Sequence, residues 1–138
     1  MVQFDRIQVG DALPERTHQP GNAYLFCYNA AIWNAHRIHY DHQYVTEVEG
    51  YPGIVIDGPL QADWLTQVVG EWMGEAGRMV QFKVSHRQAA YLGEKLRAAG
   101  EVTAKDEAAR EISVNLHITN EQGEVIAPGE AVIRFDAE

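Results

Sequence analysis

The sequence has little cysteine, little positive charge and no long hydrophobic run, and each shortage excludes a class of protein. The single cysteine, Cys27, excludes an intramolecular disulfide and fits a reducing compartment. Eleven basic against twenty acidic side chains give a formal charge of −9, which disfavours nucleic-acid binding because that affinity comes from Lys and Arg. No apolar run reaches the ~18 residues of a membrane span, and the N-terminus has no signal-peptide pattern. We expect a cytoplasmic protein that binds neither nucleic acid nor membrane.

The rest of the composition is typical of a globular domain. The 138 residues are 46% hydrophobic and 22% charged, which is enough apolar material for a core and argues against disorder. We therefore expect one domain over residues 1–138. Cys27 lies between Phe26 and Tyr28 and is predicted to be a small buried hydrophobe.

Two apolar segments have the pattern of helices. Residues 23–33 are apolar on nearly every face and follow Asn22, a candidate N-cap. We expect this helix to be buried on most sides or to meet a partner subunit. The second helix begins at Pro59, which is tolerated in a first turn. Its apolar residues recur at helical spacing until Gly74 and Gly77 end it.

The second half of the chain has the period of strands. Apolar and polar residues alternate or recur in four segments, which are residues 80–84, 96–102, 112–119 and 129–135. A short edge strand is expected within residues 4–19. Short connections favour an antiparallel meander, so we predict an α+β hot-dog fold, in which an antiparallel sheet wraps a long central helix. Another α+β roll is the alternative, and open sheet edges favour a dimer.

Polar side chains are concentrated in residues 33–60. This stretch contains the runs Asn34-Ala35-His36-Arg37-Ile38-His39-Tyr40-Asp41, Glu49-Gly50-Tyr51-Pro52-Gly53 and Gly58-Pro59-Leu60. It resembles the MaoC-like hydratases and dehydratases, especially the mesaconyl-CoA and 3-methylfumaryl-CoA hydratase types and the mitochondrial 3-hydroxyacyl-thioester dehydratase type. The resemblance implies a hydro-lyase that interconverts a 2-enoyl thioester and a 3-hydroxyacyl thioester. It implies no cofactor beyond the coenzyme A, or carrier protein, of the substrate.

The resemblance also assigns catalytic positions. The family commonly has an Asp and a His five residues apart, and this spacing joins Asn34 and His39 here. Asn34 cannot accept a proton, so it is expected to orient a water or polarise a carbonyl. His39 is the expected acid–base group. The backbone N–H of Gly58 is the donor expected for the thioester oxygen, where the helix dipole stabilises negative charge.

The residue before Gly58 departs from the family. Where relatives usually have His-Gly-Pro, this chain has Asp57-Gly58-Pro59. A carboxylate there would oppose an enolate unless Arg37 or His36 neutralised it, or unless it turned inward as a helix cap. The predicted substrate-binding residues are Asp57, Tyr40, His36 and Arg37.

Two further groups of side chains are candidate binding sites. Three histidines, His36, His39 and His42, recur every three residues, but they lie in a predicted loop, so we expect no metal site. The phosphates of coenzyme A need positive charge near the pocket mouth. The candidates, which an ordinary solvated strand face explains equally well, are Arg78, Lys83, His86 and Arg87.

Two other functions fit the same sequence. The chain would be a catalytically silent subunit of a heteromeric hydratase if Asn34 and Asp57 record lost chemistry. It would be a thioesterase if the fold hosts that reaction instead, since fold alone does not decide function. For the hydro-lyase we expect a homodimer or a pair with a second hot-dog chain. Trp64, Val68 and Trp72 either flank an acyl group or pack in the core.

Overall fold

The computed structural model describes residues 2–136, in which the helices come mainly in the first half and the strands mainly in the second. The main elements in chain order are β1 (Arg16–His18), α1 (Asn22–Ala31), α2 (His42–Glu47), α3 (Gly58–Met73), β2 (Gly77–Val84), β3 (Leu96–Asp106), β4 (Glu111–Thr119) and β5 (Val125–Phe135). Short 3-10 helices occupy Phe4–Arg6 and Arg37–His39. No helix within these residues has the length and apolar character that a bilayer span requires.

The five strands form one antiparallel sheet in the order β1-β3-β4-β5-β2. Helix α3 packs against β2, β3, β4 and β5, which confirms the predicted hot-dog arrangement of a sheet around a central helix. The prediction of a simple meander is wrong for β2, which pairs with β5 rather than with β3. The connection over residues 85–95 is long enough to carry the chain from one side of the sheet to the other.

Helix α3 follows its sequence signals closely. Pro59 lies in the first turn, and Gly74, at φ 56°, ends the helix. Its apolar stripe forms the centre of the core and consists of Leu60, Trp64, Leu65, Val68 and Val69. Burial in the core therefore accounts for Trp64 and Val68, while Trp72 is half-buried and meets the Phe135 ring edge-on at 6.0 Å.

Helix α1 is not buried on most sides, which leaves contact with a partner subunit as the predicted alternative. It begins at Asn22 with Gly21 in the N-cap position, so Asn22 is not the cap. It buries only Leu25 and Asn29, and Cys27 is exposed rather than buried. The reason is that α3 already fills the face of the sheet, which leaves α1 outside the main core against the 3-10 helix Arg37–His39.

The segment before α3 is fixed by backbone hydrogen bonds. The N–H of Ile56 donates to the Ala90 carbonyl at 2.8 Å, and the N–H of Leu92 donates to Ile54 at 2.8 Å. These bonds attach the β-branched residues 54–56 to the connection between β2 and β3. They set the point at which α3 begins.

Gly100 of β3 gives a test of the packing between neighbouring strands. A methyl group at this position would lie 2.6 Å from the Asn115 carbonyl oxygen. Because that atom belongs to the sheet backbone, Gly100→Ala should lower the free energy of unfolding by about 1–3 kcal/mol. Gly70 of α3 has no atom within 4 Å of the same methyl position, so Gly70→Ala should raise it by about 0.5–1 kcal/mol. Urea denaturation measures both, and an unchanged midpoint for Gly100→Ala would contradict the close approach.

Candidate active site

The C-terminal end of α1 directs Asn34 toward the start of α3. The N–H of Trp33 donates to Ala30 at 3.3 Å, and the N–H of Asn34 donates to Asn29 at 2.9 Å. This is the Schellman pattern of helix termination. Its left-handed position is held by Trp33, at φ 57° and 90% exposed, where glycine is usual and a larger residue is strained.

The carboxylate of Asp57 lies at the centre of the site. Its exposure is 0%, and it occupies the N-cap position of α3 without making a capping bond. The Asn29 amide donates to its Oδ2 at 3.0 Å, and the Asn34 amide donates to its Oδ1 at 3.4 Å. The carboxylate turns inward, but not as the helix cap that the sequence suggested, and neither Arg37 nor His36 neutralises it. Amides from α1 and the following loop bind it instead.

His39 lies on the other side of this carboxylate. It is 8% exposed, and its Nδ1 is 2.8 Å from the carbonyl oxygen of Val55 and 3.6 Å from Asp57 Oδ2. A carbonyl only accepts hydrogen bonds, so the proton of the neutral ring is on Nδ1. The Nε2 atom therefore carries the lone pair. The exposed His36 ring packs edge-on against His39 at 5.8 Å.

Gly58 is the first residue of α3, where backbone N–H groups have no partner within the helix. The His86 ring lies against it, since a Cβ at Gly58 would be 3.0 Å from His86 Nε2. Partial desolvation lowers the pKa of the His86 imidazole below its usual value. His86 was a candidate for a phosphate contact or for an ordinary solvated strand face, and the structure places it beside the predicted oxyanion donor.

The residues Asn34, His39, Asp57 and Gly58 form a cluster, and the remaining predicted substrate-binding residues lie around it. The Tyr40 hydroxyl donates to the Ala35 carbonyl at 2.9 Å. Arg37 is exposed and donates to the Asp41 carboxylate at 2.7 and 3.0 Å. The Tyr44 N–H and then Arg37 lower the pKa of Asp41. The structure therefore brings together Asn34, His39, Asp57 and Gly58, whereas Tyr40, His36 and Arg37 stay predictions as ligand contacts.

An apolar crevice borders the cluster on the α1 side. Its volume is about 220 Å³, and the amide side chains of Asn29 and Asn34 line it. The other lining residues are Phe26, Ala30, Trp33, Ala35 and Tyr40. The crevice gives an apolar group access to the Asn34 side of the cluster.

The basic residues named as candidate phosphate contacts do not all lie together in the structure. Lys83 pairs with Glu130 at 3.0 Å, and with Ser85 and Arg87 it lines a surface depression of about 330 Å³. His86 belongs to the cluster at Gly58 instead. Arg87 follows His86 in sequence, but it lines the depression with Lys83.

The sequence analysis missed two parts of the site. Asn29 was treated as one residue of an apolar helix, although a polar side chain within such a run is itself a signal. The Val55 carbonyl was also missed, because a backbone acceptor leaves no mark in a sequence. Both contribute to holding Asp57 and His39 in place.

A family model, curated relatives and solved structures match the chain. The family model described as hydroxyacyl-thioester dehydratase type 2 matches residues 6–92. The chain is 48% identical over 60 residues to mesaconyl-C(4)-CoA hydratase of Chloroflexus aurantiacus. That alignment covers 44% of this chain and 21% of the relative, so the chain matches about a fifth of the relative's length.

Solved structures show the same fold at low sequence identity. The (R)-hydratase of A. caviae involved in PHA biosynthesis superposes with a TM-score of 0.87 at 20% identity, over 95% of this chain and 98% of that one. A chain of the ChsH1–ChsH2 complex of Mycobacterium tuberculosis gives 0.84 at 18% identity, over 94% and 98% of the two chains. The resemblance to MaoC-like hydratases is thereby confirmed.

The strained end of α1 leads to a stability prediction. Trp33→Gly should raise the free energy of unfolding by about 0.5–1 kcal/mol, because glycine adopts the left-handed conformation without strain. Ile32, at φ −88°, is the matched control, and Ile32→Gly should lower stability. Thermal unfolding of the two variants measures the difference. An equal loss in both would contradict the strain at Trp33.

The two amides that contact Asp57 should differ in their contribution to stability. Asn29→Ala should lower the free energy of unfolding by about 1–3 kcal/mol, because it removes a buried amide that is bonded to both Asp57 and the Leu25 carbonyl. Asn34→Ala should lower the free energy of unfolding by less, since the hydrogen bond from Asn34 to Asp57 is longer and only partly buried. Urea denaturation compares the two variants. The reverse order would show that Asn29 is not the main donor to the carboxylate.

Proposed function

Since this chain belongs to the hydroxyacyl-thioester dehydratase type 2 family, we propose that it interconverts a 2-enoyl thioester and a 3-hydroxyacyl thioester. The acyl carrier is coenzyme A or a carrier protein, and the enzyme needs no other cofactor. The observation that carries the proposal is the hydrogen bond from His39 Nδ1–H to the Val55 carbonyl, because it leaves the lone pair of the ring on Nε2. A hydro-lyase needs such a group beside an oxyanion donor.

In the hydration direction the proton movements use one imidazole. His39 Nε2 takes a proton from water as the water oxygen bonds to the β-carbon. The π electrons of the double bond move toward the thioester and form an enolate. The enolate then takes the proton back from Nε2 at its α-carbon. The sum is the addition of one water, and dehydration is the reverse sequence.

The negative charge of the enolate requires a donor that is in place before the reaction. The Gly58 N–H meets this need, because it begins a 16-residue helix whose dipole is positive at this end. His86, which lies beside Gly58, forms one wall of the space for the thioester group.

Asn34 has one acceptor and one donor position left for a water molecule. Its Oδ1 accepts from the His36 N–H at 3.1 Å, and one Nδ2 hydrogen points to Asp57. The second lone pair and the second hydrogen remain. We assign Asn34 to orienting the attacking water for His39.

Assembly and location form part of the same proposal. We propose that a second copy or a different hot-dog chain covers the exposed edge strands β1 and β2, as open edges favour pairing. The superposition on a chain of the ChsH1–ChsH2 complex supports this. The lone, exposed Cys27 thiol fits the reducing cytoplasm.

A histidine substitution tests the proposed chemistry. His39→Ala should lower kcat/KM for hydration by about 10²–10⁴-fold, because the acid–base group is removed. His42→Ala removes an exposed imidazole three residues away and should keep the wild-type rate. The assay is the loss of enoyl-thioester absorbance with crotonyl-CoA and with branched and dicarboxylic analogues. Equal rates in the two variants would refute the role of His39.

The same assay separates the alternative functions. Release of free thiol without loss of the double bond would indicate a thioesterase. Turnover only after addition of a second hot-dog chain would indicate the silent-subunit alternative. In that case His39→Ala would leave the rate of the mixed complex unchanged.

A further inference from the structure

We propose that Asp57 is the carboxylate partner of His39 and holds it as a base, in place of the neutral side chain of Asn34. This inference rests on the proposed function, because it concerns how His39 performs that reaction. Asp57 does not touch the substrate in this proposal, since its side chain has no exposed surface. It acts through His39 and is therefore a positioning residue.

The first argument is the geometry around Nδ1. Asp57 Oδ2 lies 3.6 Å from His39 Nδ1, and the Val55 carbonyl oxygen lies 2.8 Å from the same atom. Both neighbours are acceptors, so both favour a proton on Nδ1. The tautomer that results has its lone pair on Nε2, as a base for the attacking water requires.

The second argument concerns the moment at which Nε2 takes the proton. The ring then carries a positive charge, and a buried carboxylate 3.6 Å away stabilises it because few water molecules screen the pair. Asn34, five residues before His39, contributes no charge. Among the described residues, Asp57 is the carboxylate within salt-bridge distance of this ring.

The third argument is the way in which Asp57 itself is held. The Asn29 and Asn34 amides bind its two oxygens. No helix-capping bond from its side chain explains its burial, so the carboxylate is directed away from the α3 backbone and toward the ring. A residue needed only to begin the helix would cap it.

Other ionisable side chains near the pair have different partners or positions. Arg37 is turned to Asp41 at 2.7 Å, and the Tyr28 hydroxyl donates to Asp63 at 2.9 Å. His36 packs against His39 at 5.8 Å. His86 lies on the Gly58 side. None of these side chains supplies the negative charge that the protonated ring needs.

The main test is Asp57→Asn, which keeps the shape of the side chain and removes its charge. The variant should lose about 100-fold in kcat with KM little changed, because the loss concerns proton transfer rather than binding. Asp63→Asn, an exposed carboxylate on the same helix that also accepts a hydrogen bond, is the matched control and should keep its kcat. Wild-type kcat in Asp57→Asn would overturn the proposal.

A swap variant separates positioning from mere support of the fold. The double variant Asn34→Asp/Asp57→Asn again has one carboxylate near His39, but at position 34, after the end of α1. Its kcat should be about tenfold or more above that of Asp57→Asn. A role confined to stability would give no such rescue. Circular dichroism checks that each variant is folded, and a folded double variant as slow as Asp57→Asn would overturn the proposal.

A spectroscopic readout does not depend on any substrate. The wild-type protein should show a strongly deshielded imidazole N–H proton, assigned to His39 by its absence in His39→Gln, with nitrogen shifts of the Nδ1–H tautomer. In Asp57→Asn this resonance should move upfield. A wild-type ring in the Nε2–H tautomer would overturn the inference even if the hydratase assay succeeded. Failure of every enoyl thioester would instead refute the proposed function and leave this measurement to stand by itself.

Discussion

The structure around the site depends on burying one carboxylate. Moving a charged group out of water costs several kcal/mol unless other groups replace the lost hydration. Asp57 has no exposed surface, and its replacements come from Asn29 in α1, Asn34 in the loop and His39 in the short 3-10 helix. These partners are distant in sequence from α3. The carboxylate therefore fixes where the 29–39 segment lies on the central helix.

This constraint explains how a mostly exposed helix is held. Helix α1 has only Leu25 and Asn29 fully buried, so the hydrophobic effect gives it little attachment to the core. The polar contact of Asn29 with Asp57 supplies orientation, which apolar contacts do not define well. The Schellman turn at Trp33 then sets the direction in which Asn34 leaves the helix. Local strain and a buried polar contact together determine the geometry of the site.

The scaffold could be predicted from the sequence because its signals are periodic and local. The stripe of α3, its Pro59 start and its Gly74 end follow from spacing and backbone preference. The alternation in residues 112–119 likewise led to β4. The pairing of β2 with β5 could not be predicted, because it depends on the path of the 85–95 connection rather than on any strand's own pattern. The choice between a buried α1 and one with a face open to a partner could not be made from the sequence, because an apolar run does not reveal that α3 already occupies the sheet.

The site was predictable only in part, for a related reason. The resemblance named Asn34, His39 and Gly58, but it treated positions 34 and 57 as two separate departures from the family. The structure shows that the side chains at these positions meet, with Asn34 Nδ2 at 3.4 Å from Asp57 Oδ1. Two carboxylates at that separation would repel each other, and one of them would have to take a proton. An amide at one position and a carboxylate at the other avoid that cost and form a hydrogen bond instead. The two departures are thus physically one, because the charge at position 57 favours a neutral donor at position 34.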